Sequence, residues 1–291
     1  MAFLISLACA QTLEVPGYEK IPLRLGDEGH LLMSSRIKGQ KIVFVVDTGA
    51  PTGILDREKA RALGLKPENE FGDGRREETV ILSDLMSGNV RLGNISIAVG
   101  DSLPQRQRTF YRGEADVVHG LLGSDILARH AAIIDFRNRI LFLRRAPETQ
   151  AMVATQLGNT RYVPVPFRNS RWLYAPVQLR GRKFSAIVDT GSAVTILRSR
   201  TIARLGVRSK NSMIWVRGLG IAPRRLRLVQ NTDHSLTVGD TPIRTEFHVM
   251  PGADFFGKQP RDFIGILGND LLIHHGAVID YGHNTLWLLP D

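Results

Sequence analysis

The chain has 291 residues, 43% of them hydrophobic and 23% charged, a globular composition that excludes a disordered chain. Its formal charge of +10 sits in the second half: Lys and Arg against Asp and Glu stand at 20 to 19 over residues 1–150 and at 18 to 9 over residues 151–291. The arginines of that half are dispersed and lack interleaved aromatics, so they read as a solvated basic face with no nucleic-acid partner expected.

In chain order, Met1–Ala10 comes first. It is apolar and ends Ala8-Cys9-Ala10, the small-x-small pattern of a signal cleavage site, which predicts a periplasmic or secreted protein. Without such processing the chain would stay in the cytoplasm. Cys9 is the single cysteine, which excludes an internal disulfide framework and a multi-cysteine metal site. No apolar run approaches the ~20 residues of a membrane-spanning helix.

From residue 21 onward the sequence is written twice. Ile21-Pro22-Leu23 corresponds to Val163-Pro164-Val165, and Leu31 to Leu173. Val45-Val46-Asp47-Thr48-Gly49 corresponds to Ile187-Val188-Asp189-Thr190-Gly191, at the same offset. Further on, Gly120-Leu121-Leu122-Gly123-Ser124-Asp125 matches Gly265-Ile266-Leu267-Gly268-Asn269-Asp270, and Ile134-Asp135-Phe136 matches Ile279-Asp280-Tyr281. The division is a signal segment and arm over 1–20, a first lobe over 21–145, a linker over 146–161, and a second lobe over 162–291.

Within the first copy, Ile42–Val46, Ile95–Val99, Ile133–Phe136 and Ile140–Leu143 are apolar and β-branched, and read as strands. Arg57–Leu65 reads as a short helix ending at a glycine, and Ser124–His130 as another. The linker is polar and aperiodic. The second copy repeats the pattern with strands Ala186–Val188, Val278–Tyr281 and Leu286–Leu289 and helices Arg198–Val207 and Asn269–His275. The fold class is all-β, with a few short helices and a pseudo-twofold axis between the copies.

One Asp-Thr-Gly triplet is a weak signal, since Asp and Gly are ordinary turn residues. Two of them, each after a buried strand and at equivalent places in a duplicated domain, point to a shared site. A lone carboxylate with a pKa near 4 is a poor base. Two carboxyls about 3 Å apart hold one proton between them and titrate as a unit. The ionised member can take a proton from water, and the protonated member can give one to a developing oxyanion. This predicts an acidic or mildly acidic optimum.

The pattern of two hydrophobic residues, Asp-Thr-Gly, and later two hydrophobic residues with Gly resembles retropepsin-like and pepsin-like aspartic proteases, in both copies. The resemblance implies two β-barrel lobes with a peptide or protein substrate between them. It makes Asp47 and Asp189 the catalytic pair, with support from Thr48, Gly49, Thr190 and Gly191. Leu121, Leu122 and Gly123, with Ile266, Leu267 and Gly268, would thread the psi-shaped loops. No cofactor or metal is implied, and one chain carrying both turns would act as a monomer. Pepsin-like enzymes carry a flap tyrosine in the first lobe, where Lys66–Asn94 holds no aromatic beyond Phe71, so a glycine-bearing hairpin near Trp215–Ile221 in the second lobe is an alternative flap. Of the apolar neighbours Ile54, Leu55, Leu121, Leu122, Ile196, Leu197, Ile266 and Leu267, some must be core, because a lobe this small needs them, and those flanking the aspartates are expected to leave apolar pockets beside the scissile bond.

Other constellations carry less. His274-His275 are adjacent, should point to different sides, and have no carboxylate at ligand spacing. Asp135 and Asp280 lack a following Thr-Gly and read as strand-end structural residues. A rival from another class is a non-catalytic peptide-binding or scaffold module on the same duplicated fold.

Overall fold

The β-branched runs pair with one another in the same order in both copies. The protein is seen in a computed structural model that describes residues 12–26, 29–72, 75–101, 117–146, 152–218, 221–229, 236–243, 246–250 and 259–291. The signal reading of Met1–Ala10 lies outside these residues.

In the first lobe the sheet order is Glu68–Gly72, Arg75–Leu82, Ile95–Gly100, Ile54–Asp56, Gly120–Leu122, Gln40–Val46, Leu31–Ile37, Met86–Ser87 and Val90–Arg91. The second lobe repeats it strand for strand, from Lys210–Gly218 and Ile221–Val229 through Phe263–Leu267 and Arg182–Val188 to Thr241–Ile243. Side chains explain the pairing. Ile42, Val43, Phe44, Val45 and Val46 are all 0% exposed, so this strand is buried on both faces, as a continuous apolar run requires.

The expected psi arrangement is present. Gly120–Leu122 lies between the strand that leads into Asp47 and the strand that leaves it, parallel to the first (Leu121 beside Val45) and antiparallel to the second (Leu121 beside Ile54). Phe263–Leu267 does the same for Asp189, with Ile266 beside both Ile187 and Ile196. The backbone then locks each aspartate in place: Asp47 N–H donates to Leu122 O and Asp189 N–H to Leu267 O, both at 3.0 Å.

A third sheet joins the copies, in the order Tyr18–Pro22, Ile140–Arg144, Ile133–Asp135, Val278–Asp280, Thr285–Leu288, Val163–Pro166. At its centre Ile134 pairs with Ile279, its own counterpart in the repeat, with Ile133 opposite Asp280 and Asp135 opposite Val278. A residue paired with its own equivalent lies on the symmetry axis. The closing strands of each copy therefore build a common floor.

The linker expectation needs correction. The linker contains a helix, Val153–Leu157, whose Val153 and Leu157 are buried against Leu13, Val15, Phe142 and Trp287 under the shared sheet. One turn of helix is too short to show a period in sequence. Hairpins also occur at equivalent places in both lobes, Glu68–Gly72 with Arg75–Leu82 and Lys210–Gly218 with Ile221–Val229. Each lobe thus offers a flap candidate; backbone pairing does not need the tyrosine that the first lobe lacks.

The helices fall where the sequence puts them and stop sooner. Arg57–Ala62 is capped by Asp56, whose Oδ1 accepts from Lys59 N–H at 3.0 Å, while Ser199–Arg204 has Arg198 in that place and no side-chain cap. Ser124–Arg129 and Asn269–His274 start directly after the psi-strand glycines.

Candidate active site

Asp47 and Asp189 come from opposite lobes, and their carboxyls meet within hydrogen-bonding reach of each other. The strand ends hold them there, and the threonines interlock the two turns. Thr48 Oγ1 donates to Val188 O at 2.7 Å and accepts from Thr190 N–H at 3.0 Å. Thr190 Oγ1 returns both bonds, to Val46 O at 2.6 Å and from Thr48 N–H at 3.0 Å. Both threonines are 0% exposed. Four bonds in a dry interface fix one turn relative to the other.

The glycines serve by what they lack. A Cβ on Gly49 would stand 2.2 Å from Asp189 Oδ1, and one on Gly191 would stand 2.4 Å from Asp47 Cγ. Each glycine is therefore the surface on which the other lobe's carboxyl rests. Gly123 and Gly268 meet backbone instead, at Thr52 and Val194, where the psi strand crosses the loop that follows each Asp-Thr-Gly.

Backbone donors feed the carboxylates. Gly49 N–H and Ala50 N–H reach Asp47 Oδ1 at 2.8 and 2.9 Å. Gly191 N–H reaches Asp189 Oδ1 at 2.9 Å, and Ser192 N–H also favours ionised Asp189 while lying 3.3 Å from the Asp189 main-chain carbonyl. Burial pushes Asp47 up to about 6, offset by its two N–H bonds. Burial and then the Asp47 charge push Asp189 up to about 8. The hydrogen bond between the carboxyls favours the ionised form of Asp47 and the protonated form of Asp189. Both carboxyls are raised, and the pair shares one proton and titrates as a unit.

Several residues of this network escape sequence reasoning. Ser124 Oγ donates to Thr48 O at 2.9 Å and lies 2.9 Å from the hydroxyl of Tyr281, a second-lobe residue. Burial raises the pKa of that phenol and keeps it neutral. Asn269, at the position equivalent to Ser124, donates from Nδ2 to Thr190 O at 2.9 Å and to Gly29 O of the first lobe at 2.8 Å. Asp125 accepts from Gly53 N–H, and Asp270 from Thr195 N–H, each at 2.8 Å, closing the loops behind the turns. The Ser124–Asn269 match was visible in the repeat; nothing local marks either residue as a cap.

Most of the apolar residues beside the turns are core. Leu55, Leu121, Leu122, Ile196, Leu197, Ile266 and Leu267 are buried in the lobes. Only Ile54 is partly exposed. Ala50 packs over the Leu32, Val43, Val45, Val118 and Leu121 cluster, while Trp172 and Val194 pack over the Tyr174, Ile187, Ile196 and Ile266 cluster. Partly exposed apolar surface next to the turns thus comes from Ala50, Ile54, Trp172 and Val194.

Asp135 and Asp280 close turns, through Asn138 and His283. The two adjacent histidines depart from expectation: His274, His275 and Asp291 bring ligand atoms within 4.8 Å of one another. Asp291 bonds His274 Nε2 at 2.9 Å, and Leu289 O accepts from His275 Nδ1 at 2.7 Å. The carboxylate lies 17 residues along the chain, beyond any local spacing rule. Among the described residues no helix is long and apolar enough to cross a membrane.

Comparison with curated proteins gives no match. A family model described as aspartyl protease matches residues 33–126 and 175–271, one stretch in each copy and each containing one Asp-Thr-Gly turn. The chain belongs to the aspartyl protease family.

Proposed function

We propose that the chain is an aspartic endopeptidase in which Asp47 and Asp189 jointly activate one water. The observation that carries this reading is the pair of carboxyls from opposite lobes, hydrogen-bonded to each other and each seated on the other lobe's glycine. Ionised Asp47 takes a proton from the water as its oxygen attacks the carbonyl carbon of the scissile peptide. Asp189 gives its proton to the carbonyl oxygen, so a neutral tetrahedral gem-diol forms without a covalent enzyme intermediate. Asp47 then passes its proton to the leaving nitrogen. The C–N bond breaks, one hydroxyl proton returns to Asp189, and the starting state is restored.

The interlocked threonines support this chemistry by fixing the carboxyls, so little reorganisation is needed at the moment of attack. Both aspartates lie in one chain, which supports an active monomer; turnover per chain should not depend on enzyme concentration. The Met1–Ala10 pattern supports export, and N-terminal sequencing of the protein from its native host tests it.

The deciding experiment is incubation with an unstructured protein across pH, with and without a statine-type transition-state mimic. Cleavage that the mimic blocks, and that Asp47→Asn and Asp189→Asn each abolish in a folded chain, is the expected result. Binding of peptide without cleavage at any pH would replace this reading with the non-catalytic module.

A further inference from the structure

Two side chains reach across the lobe boundary to the glycines of the Asp-Thr-Gly turns. Trp172 Nε1–H donates to Gly49 O at 2.9 Å. His30 Nε2 lies 3.1 Å from Gly191 O. A carbonyl can only accept, so His30 carries its hydrogen on Nε2 in this contact. Leu31 and Leu173 are repeat equivalents, so His30 and Trp172, one residue earlier in each copy, occupy the same place in the fold. The two lobes fill that place with different donors and aim both at the same target.

The target is informative. Gly49 O and Ala50 N belong to one peptide group, and Ala50 N–H is one of the two donors to Asp47 Oδ1. Gly191 O and Ser192 N likewise share a peptide group, and Ser192 N–H favours ionised Asp189. A donor on the oxygen of a peptide polarises its N–H and fixes its plane. The neighbouring peptide group in each turn is treated the same way from the other side, by Ser124 on Thr48 O and Asn269 on Thr190 O.

We propose that Trp172 and His30 are positioning residues for the aspartate pair, each holding from the opposite lobe the peptide group that follows the turn's glycine, whose N–H in the first lobe donates to Asp47 Oδ1. The inference rests on the reading of Asp47 and Asp189 as the catalytic pair. It makes the setting of each aspartate depend on the other lobe: separating the lobes withdraws Trp172 from Asp47 and His30 from Asp189. It also makes the lobes unequal. An indole N–H donates at every pH, whereas an imidazole can exchange its hydrogens between two nitrogens.

The test compares donors with volumes. Trp172→Phe keeps most of the ring volume and loses the N–H; Trp172→His loses volume and can restore the N–H, copying the first lobe. Trp172→Phe should lower kcat about three- to tenfold with KM within twofold, the loss of one neutral hydrogen bond acting on the pair and not on substrate binding. Trp172→His should retain more activity than Trp172→Phe. At the other site His30→Gln, which keeps a donor, should exceed His30→Leu. The opposite order at both sites means packing alone, and overturns the proposal.

Carboxyl carbon-13 titration of the aspartates by NMR reads the same variants without turnover. Trp172→Phe should shift the titration of the pair, and an unmoved curve in the folded protein also overturns the proposal. A wild-type chain that never cleaves, yet whose titration responds to Trp172→Phe, would defeat the protease reading and leave the positioning role standing.

Discussion

Gly49→Ala adds one methyl group where the opposite carboxyl already sits. The new Cβ would lie 2.2 Å from Asp189 Oδ1, 2.3 Å from its Cγ and 2.7 Å from Oδ2. Ordinary carbon–oxygen contact is more than 1 Å longer, so Asp189 or the whole turn must move by about 1 Å. The Thr48 and Thr190 bonds resist moving the turn, which leaves the carboxyl to give way. A misplacement of about 1 Å in a reacting group costs on the order of 10²-fold in rate, equivalent to about 2.7 kcal/mol of activation free energy. Gly49 does not have the left-handed φ that would add backbone strain, so the stability cost is that of overpacking, about 1–3 kcal/mol. Steady-state cleavage of a fluorogenic peptide, beside a thermal melt, separates the two effects. The expected result is a folded variant with kcat down about a hundredfold, and Gly191→Ala should behave alike through Asp47. A folded Gly49→Ala enzyme with wild-type kcat would refute the argument that the glycine is the seat of the opposite carboxyl.

Further expectations follow from the same geometry. The pair holds a single proton between about 6 and about 8, so kcat/KM should form a bell over that near-neutral interval instead of peaking in acid, as a rate profile on a peptide lacking ionisable groups would show. Thr48→Val leaves Val188 O and Thr190 N–H buried without their partner, at about 1–3 kcal/mol each, and should lower the melting temperature by several degrees; Thr48→Ser should restore most of it, as calorimetry can check. Both aspartates are raised above the unfolded value near 4, so the folded chain binds more protons than the unfolded chain between about pH 4 and about pH 8. Stability contributed by the pair is therefore full below that window and falls as pH rises through it. Urea melts across pH should show this decline, flattened in an Asp47→Asn, Asp189→Asn double variant.

Much of this site was legible because duplication lets each residue be read twice. Asp47 with Asp189, Thr48 with Thr190 and Leu122 with Leu267 announce themselves by identity or near-identity at equivalent places. Most expected strands fell within a residue or two of their observed ends, because Ile42–Val46 and its kin are apolar runs with one structural solution; Ala186–Val188 is the exception, starting at Arg182. What was not legible is what the two copies do differently or do together. The helix Val153–Leu157 is a single turn whose order comes from Leu13, Val15 and Trp287, which are distant in sequence. The shared sheet is invisible in either copy, since Ile134 finds its partner only in Ile279. Which of the apolar residues beside the turns are core was not legible either, because hydrophobicity alone does not say which face of a two-sided strand meets the core.

His30 and Trp172 show the limit most plainly. A comparison that scores matching letters passes over them, since His and Trp share neither size nor charge. What they share is a ring N–H on a side chain long enough to reach the opposite lobe, and only the assembled pair of lobes supplies the acceptor. The same holds for Ser124 and Asn269, where hydroxyl and amide cap equivalent carbonyls. Around an identical centre of two Asp-Thr-Gly turns, the copies have diverged in residue type while keeping the donor at each position. Selection on hydrogen-bonding capacity rather than on identity would leave this pattern. It also explains how a duplicated site becomes unequal in its surroundings, with Trp172 behind one turn and His30 behind the other, while both Asp-Thr-Gly turns stay the same.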